Sequence, residues 1–126
     1  MSVYYNFNPQ LDEPFNVIHP LQLSKIQALL DCPIPTAVDY IYLFGSSLDI
    51  TCHVKSDIDL YVISEEDTEQ VHEDMYKLCR PLKKRIEILV SNKENFLENI
   101  LIPATVEGRM VKRGVCIYAK EQNNIT

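Results

Sequence analysis

Apolar positions recur along this 126-residue chain with two periods, one typical of helices and one typical of strands. Residues 21–31 carry leucine and isoleucine at helical spacing and are followed by Pro33 and Pro35, which predicts a helix that ends there. Four short runs rich in β-branched and aromatic side chains predict four strands, at residues 38–44, 58–63, 85–90 and 115–119.

Two more helices are predicted between these strands, each preceded by a sequence that resembles a capping box. The first follows Ser64-x-x-Asp67 and is closed by Pro81; its apolar stripe comprises Val71, Met75, Leu78 and Cys79. The second follows Ser91-x-x-Glu94, and its predicted buried face comprises Phe96, Leu97, Ile100 and Leu101. A short helical or irregular segment from residue 103 then leads to the last strand.

This order of elements predicts an α/β (α+β) fold in which helices pack against a single sheet. We expect one domain over residues 1–126, with an N-terminal arm at 1–20 and a core at 21–119. The composition, 46% hydrophobic and 24% charged, is typical of a soluble globular protein. The four cysteines are widely spaced, so we expect reduced and mostly buried thiols.

The charge of the chain excludes some classes of function. A formal net charge of −6 argues against broad nucleic-acid binding, which needs a basic surface. The local basic cluster at residues 77–85 is interpreted as a solvated helix end, with a binding patch as the alternative. No apolar run approaches the ~20 residues of a membrane span, and no secretory signal is recognisable, so a cytoplasmic location is expected.

The candidate chemistry lies between Leu43 and Ile63. Gly45 and Ser46 directly follow a hydrophobic strand, and their turn can bring backbone N–H groups and a hydroxyl close to a phosphate. Asp57 and Asp59 are two residues apart at the start of the next strand, so they point to the same face. Two adjacent carboxylates favour a hard cation, and a phosphate turn beside them is typical of phosphoryl or nucleotidyl transfer.

The pattern G-S, ten residues, D-x-D and then a hydrophobic strand resembles the minimal nucleotidyltransferases of the DNA polymerase beta superfamily. The resemblance runs from Val38 to Val90 and extends towards the C-terminus through Glu107-Gly108 and residues 114–118. It implies a mixed sheet with helices packed against it. It also implies transfer of a nucleoside monophosphate, AMP from ATP, to an acceptor hydroxyl.

The same resemblance implies a role for individual residues. Gly45 and Ser46 would bind the nucleoside triphosphate, and Asp57 and Asp59 would bind Mg²⁺ or Mn²⁺. Glu87, on the third strand, would be the third metal-binding and catalytic carboxylate. Lys55, from the loop between the first two strands, would help to bind the nucleotide.

Two positions depart from the pattern of the family. The third carboxylate is usually an aspartate, and here it is Glu87. The loop after the serine usually reads like A-R-G, whereas here it reads Leu48-Asp49-Ile50, with an acidic side chain where a basic one would help to hold phosphate. Both departures predict a weakened enzyme.

The expected acceptor is a partner protein, because the chain has no room for the helical acceptor domain of larger relatives. Stand-alone members of the family often act as the antitoxin of a small helical HEPN-type toxin. The leading hypothesis is therefore that this chain is such an antitoxin and that the toxin is its acceptor. A homodimer could also supply the acceptor surface. The alternatives are a non-catalytic nucleotide- or partner-binding module, favoured by Asp49 and Glu87, and a small-molecule nucleotidyltransferase of the aminoglycoside type.

Overall fold

A four-stranded sheet with helices on both faces forms the core of the computed structural model, which describes residues 18–48 and 52–120, without the side chains of Ser46, Leu48 and residues 110–113. The strands are β1 (Val38–Phe44), β2 (Ile58–Ser64), β3 (Ile86–Ser91) and β4 (Val115–Ala119). The helices are α1 (Pro20–Asp31), α2 (Thr68–Cys79), α3 (Lys93–Asn99) and α4 (Val106–Arg113). Two 3₁₀ turns, Gly45–Leu48 and Arg80–Leu82, follow β1 and α2.

The sheet is mixed, as the family resemblance implies. The strand order is β3-β2-β1-β4, in which β1 pairs antiparallel with β2 and β4, and β2 pairs parallel with β3. A parallel pair needs a long crossover connection, and α2 forms it. The starts of β2 and β3 therefore lie at the same end of the sheet as the end of β1.

The two faces of the sheet carry different cores because side chains alternate along each strand. Ile58, Leu60 and Val62 pack with the apolar stripes of α1 and α2. On the opposite face, Tyr61 packs with aromatic residues of β1 and with Phe96 of α3. Asp59 and Glu87 belong to this second face, since each is offset by one residue from positions that enter the first core.

The first predicted capping box is wrong. Asp67, rather than Ser64, caps α2, because its Oδ1 accepts hydrogen bonds from the N–H groups of Glu69 and Gln70 at 2.9 and 3.4 Å. Ser64 is the last residue of β2, and its hydroxyl donates to the carbonyl of Ala37 at 2.6 Å. Pairing with the neighbouring strand extends β2 by one residue beyond the predicted end, which moves the helix start with it.

The second predicted box fails for the same reason. β3 includes Ser91, so the cap of α3 is Asn92, whose side chain accepts from the N–H of Asn95 at 2.7 Å. The predicted buried face of this helix is confirmed for Phe96 and Ile100, which are buried, but Leu101 is 66% exposed. α3 ends at Asn99, so Leu101 lies in the turn beyond it and no longer follows helical spacing.

The cysteine prediction is confirmed, since all four thiols are free and three of them are buried. Burial raises the pKa of Cys79 to about 11 and that of Cys116 to about 12, which keeps both thiols protonated and unreactive near neutral pH. In the described part of the chain, every helix is too short or too polar to cross a membrane.

Candidate active site

Three strand ends bring the predicted site residues together. Phe44, the last residue of β1, is the register partner of Asp59 on β2, and Asp59 is the partner of Glu87 on β3. Gly45 follows Phe44 directly. One edge of the second face therefore carries, in order across the sheet, the Gly45 turn, the Asp57–Asp59 segment and Glu87.

Gly45 is required at its position for two separate reasons. Its φ angle is +79°, in the left-handed region that favours glycine. A Cβ at this position would also overlap the Oδ2 atom of Asp59. The turn after β1 thus lies directly against the Asp59 carboxylate, so a group bound by the turn would contact that carboxylate as well.

Asp59 is a partly buried carboxylate in an acidic environment. Its pKa is raised from 3.8 to about 6, mainly because burial disfavours the charged form. The negative charges of Glu87 and Asp57 raise this pKa further. The three carboxylates are therefore close enough to repel one another, as expected of groups that share a cation.

Arg85 supplies a positive charge beside the other two carboxylates. Its Nε lies 3.5 Å from Oδ2 of Asp57, and its Nη2 lies 3.7 Å from Oε1 of Glu87. These side chains are 76% (Arg85), 34% (Asp57) and 56% (Glu87) exposed, so both ion pairs are weak and can rearrange. Glu87 shares a face with Arg85, as its alternation with Ile86 and Ile88 predicts.

The donor set has the right chemistry for Mg²⁺ or Mn²⁺, since carboxylate oxygens are the ligands that these ions prefer. Burial, and after it the charges of Glu87 and Asp57, raise the pKa of Asp59, and a bound cation would favour its charged form. Among residues 18–48 and 52–120, no group of three histidine, cysteine, aspartate or glutamate side chains has an arrangement that could hold a metal ion. Arg85 lies within ion-pair distance of both Asp57 and Glu87 in this arrangement.

α1 holds the two segments that border the carboxylates. The N–H of His19, its N-cap residue, donates to the carbonyl of Ser47 at 2.7 Å and so anchors the turn after β1. The Nε2 atom of Gln22, a fully buried residue, donates to the carbonyl of Ser56 at 3.0 Å. Sequence reasoning missed both contacts. The contact of Gln22 could have been suspected from the sequence, because a glutamine lies there among the apolar positions of a helix.

The loop that leads into Asp57 contains a turn closed by its own side chains. The N–H of His53 donates to Oγ of Ser56 at 2.9 Å, and the N–H of Lys55 donates to Nδ1 of His53 at 3.2 Å. Lys84 attaches this loop to the start of β3 by donating to the carbonyl of Val54 at 2.8 Å. The Lys55 side chain is exposed, and its role in nucleotide binding stays a prediction.

Other predicted positions are less well described. The backbone of Ser46 lies in the 3₁₀ turn after β1, but its side chain is outside the described part, as is the whole of Asp49. Glu107 and Gly108 belong to α4, in the segment predicted to be helical or irregular, and β4 follows at the predicted residues 115–119. Glu107 accepts a hydrogen bond from the Tyr61 hydroxyl at 2.7 Å and so ties α4 to the second face.

Comparisons with known proteins show which family this chain belongs to. The family model for the polymerase beta nucleotidyltransferase domain matches residues 24–123. A crystal structure of a toxin–antitoxin with AMP-PNP shares 25% identity over 79% of this chain and 75% of that chain, with a TM-score of 0.50. A mutant of the toxin–antitoxin MntA-HpeT shares 28% identity over 79% of this chain and 74% of that chain, with a TM-score of 0.48.

The toxin–antitoxin MntA-HepT shares 20% identity over 82% of this chain and 74% of that chain, with a TM-score of 0.44. No curated protein matches the sequence. The family match spans most of the chain and includes every predicted site residue. This chain therefore belongs to the polymerase beta nucleotidyltransferase family.

Proposed function

We propose that this protein transfers AMP from ATP to a hydroxyl group of a partner protein and acts as the antitoxin of a small helical toxin. The observation that carries the proposal is the contact of the Gly45 turn with Asp59, next to Glu87 in the sheet. The similarity to the toxin–antitoxin structure with AMP-PNP supports both the nucleotide and the class of partner.

Each part of the site has a proposed task. Gly45 and Ser46 orient the triphosphate through the N–H groups of the turn and the serine hydroxyl, and Lys55 adds a positive charge from the loop. Asp57, Asp59 and Glu87 hold Mg²⁺ or Mn²⁺. The ion, when bound, would neutralise charge on the phosphates while the acceptor hydroxyl attacks the α-phosphorus in line and pyrophosphate leaves. Of the two carboxylates that pair with Arg85, Glu87 is the more exposed, and it accepts the proton of the acceptor hydroxyl.

The test is transfer of labelled AMP from ATP, with magnesium, to the protein encoded next to this chain. We expect the wild type to label that protein and the Asp57→Asn/Asp59→Asn double variant to leave it unlabelled. The double variant Asp31→Asn/Asp74→Asn removes the same charge far from the site and should label normally. Calorimetry should also show that ATP binding with magnesium is lost only in the first variant. Equal labelling or equal binding by both variants would exclude the assigned carboxylates.

A second function, nucleotide or partner binding without turnover, is favoured by two observations. Arg85 pairs with both Asp57 and Glu87. In addition, among the described residues no three carboxylate, histidine or cysteine side chains are arranged to hold a metal ion. Under this alternative, ATP binds but no acceptor becomes labelled at any metal concentration. Transfer of label to a small aminoglycoside-like compound instead of the protein would establish the third candidate, a small-molecule nucleotidyltransferase.

A further inference from the structure

A basic pocket lies beside the carboxylates, between the C-terminal end of α2 and the start of β3. Its volume is about 360 Å³, and four cationic side chains line it together with the exposed ring of Tyr76: Arg80, Lys83, Lys84 and Arg85. The whole chain has 12 lysines and arginines and a net charge of −6. A third of its cationic residues thus surround one small cavity of an acidic protein.

The wall of this pocket is held in place by specific contacts. Lys83 has a φ of +53°, a left-handed conformation that is unfavourable for a residue other than glycine. Its N–H donates to the carbonyl of Arg80 at 3.2 Å, which closes the 3₁₀ turn. Lys25 of α1 donates to the carbonyl of Leu82 at 2.9 Å and fixes the turn from the other side. The surrounding structure therefore maintains a conformation that is unfavourable by itself.

The pocket has positive charge that the chain does not neutralise. Arg85 pairs with Asp57 and Glu87, and Lys84 donates to a backbone carbonyl. For Arg80 and Lys83, the described residues provide no carboxylate within ion-pair distance. Two cations are thus available to an external anion, in a place where Arg85 links the pocket directly to the catalytic carboxylates.

The position of the pocket relative to the proposed nucleotide site suggests what it binds. The Gly45 turn contacts Asp59 from the β1 side, whereas the pocket is formed by α2 and the start of β3, the strand at the edge of the sheet, and Arg85 joins the pocket to Glu87. In an in-line displacement, the attacking and leaving oxygens lie on opposite sides of the phosphorus atom. If the triphosphate is held at the Gly45 turn on the β1 side, an acceptor that approaches past Glu87 on the β3 side passes Arg85, which belongs to the pocket.

We infer that this pocket binds an acidic segment of the acceptor protein, next to the hydroxyl that receives AMP. This inference rests on the proposed function and names the chemistry by which the acceptor is recognised. Complementary charges at the rim of an interface mainly steer and orient a partner. The pocket would therefore favour acceptors whose hydroxyl is preceded or followed by aspartate or glutamate.

The surroundings of the pocket favour an acidic protein segment over a nucleic acid. α2, which leads into the pocket, also carries the acidic residues Glu69, Glu73 and Asp74. A nucleic-acid backbone would extend its phosphates along this surface and be repelled by it, since such binding needs an extended basic stripe. One or two carboxylates of a protein need only the local charge of Arg80 and Lys83.

The first test measures binding alone, with a fluorescein-labelled hexaglutamate peptide as the probe in an anisotropy titration at low salt. We expect the wild type to bind the peptide, and the Arg80→Gln/Lys83→Gln variant to bind it at least tenfold more weakly. The matched control, Lys93→Gln/Lys120→Gln, removes the same charge at the opposite end of the sheet and should bind within twofold of the wild type. A labelled hexauridylate RNA forms the parallel arm.

Three results would overturn the inference: no peptide binding by the wild type, equal losses in both double variants, or tighter binding of the RNA than of the peptide. A second measurement separates it from the proposed function. If AMP transfer occurs and the Arg80→Gln/Lys83→Gln variant keeps the wild-type KM for the acceptor, the pocket inference fails and the proposed function stands. If the peptide binds as expected but no acceptor is labelled, the pocket stands and the proposed function fails.

Discussion

Asp59 is the residue at which the stability of the fold and the proposed chemistry conflict. Its sheet partner on β3 is Glu87, its carboxylate lies against the Gly45 turn, and burial and its acidic neighbours raise its pKa to about 6. A carboxylate in this position is destabilising when charged. A bound cation would make the charge of this carboxylate favourable. Such conflicts between stability and function are common at active sites.

The first prediction concerns the pH dependence of stability in metal-free protein. Because the pKa of Asp59 is raised from 3.8 in the unfolded chain to about 6, its contribution favours folding below pH 3.8 and is lost as the pH rises to 6. We therefore expect Asp59→Asn to raise Tm at pH 7–8 and to have much less effect near pH 4. Thermal unfolding followed by circular dichroism across this range measures it.

The control for this experiment is Glu98→Gln, an exposed carboxylate on α3, which should shift Tm little and equally at all pH values. A constant difference between Asp59→Asn and the wild type from pH 4 to pH 8 would contradict the raised pKa. A lower Tm for the variant at pH 8 would show that the charged form is stabilised in the folded protein.

The second prediction concerns Gly45. Gly45→Ala forces a Cβ into the left-handed region and against Asp59, so we expect a loss of about 1–3 kcal/mol in the free energy of unfolding. In an Asp59→Ala background the overlap is absent and only the backbone cost remains. Urea titrations of the four proteins should therefore give a cycle in which Gly45→Ala costs less when Asp59 is already truncated. Additive costs would show that the overlap is relieved by a small movement.

At the scale of elements, α1 acts as the support of the site. It contributes no catalytic group, yet it binds the carbonyl of Ser47 through His19 and the carbonyl of Ser56 through Gln22. These two carbonyls belong to the segments that hold the proposed phosphate turn and the aspartates. The position of Gln22 inside the core is therefore explained by the loop that it holds, while its Oε1 atom has no hydrogen-bond partner among the described residues.

The third prediction follows from this support. Gln22→Leu removes an unsatisfied buried oxygen together with one hydrogen bond, so the free energy of unfolding should change by only about 1 kcal/mol in either direction. The loop before Asp57 should loosen, and ATP binding with magnesium should weaken. Calorimetry and urea unfolding measure the two effects. Gln27→Leu, at an exposed position of the same helix, should leave nucleotide binding unchanged.

If the Gln22→Leu variant is instead strongly destabilised but binds ATP with wild-type affinity once folded, Gln22 stabilises the hydrophobic core and does not support nucleotide binding. Weakened binding in Gln27→Leu as well would point to a general effect of altered α1 stability.

At the scale of the whole molecule, the site exists because the chain crosses over through α2. This crossover makes β3 parallel to β2 and pairs Asp59 with Glu87, which are far apart in the sequence. The same crossover places the basic pocket next to Glu87. The candidate nucleotide site and the inferred acceptor pocket are joined through Arg85, which lines the pocket and pairs with Asp57 and Glu87.

The fourth prediction tests the departure at the third carboxylate. The extra methylene of Glu87 displaces its carboxylate by about 1.5 Å relative to an aspartate. A misplacement of about 1 Å can cost on the order of a hundredfold in rate. We expect slow transfer of AMP by the wild type, near-complete loss in Glu87→Gln, and at least wild-type activity in Glu87→Asp. Initial rates of label transfer measure this, with Glu94→Gln as the exposed control.

Equal rates for the wild type and Glu87→Gln would show that Glu87 is not catalytic and that its ion pair with Arg85 is its main contact. A much slower Glu87→Asp would show that the surrounding structure is adapted to the longer side chain.

The local properties of this protein could be predicted from the sequence. Periodicity located α1, the four strands and the stripe of α2, because it depends only on residues that are neighbours along the chain. The glycine turn and the D-x-D segment were recognisable for the same reason. The helix caps were predicted wrongly, because pairing with a neighbouring strand, and not the local sequence, determines where β2 and β3 end.

Only the tertiary structure decided which of these residues meet. The contact of Gly45 with Asp59, the pairing of Asp59 with Glu87 and the bridge by Arg85 each join segments that are distant along the chain. The raised pKa of Asp59 depends on solvent exclusion and on charges brought close by folding. The basic cluster likewise becomes a pocket only because α2, a left-handed residue and β3 surround one cavity. Distances through space control electrostatics, and in this chain the parallel crossover sets those distances.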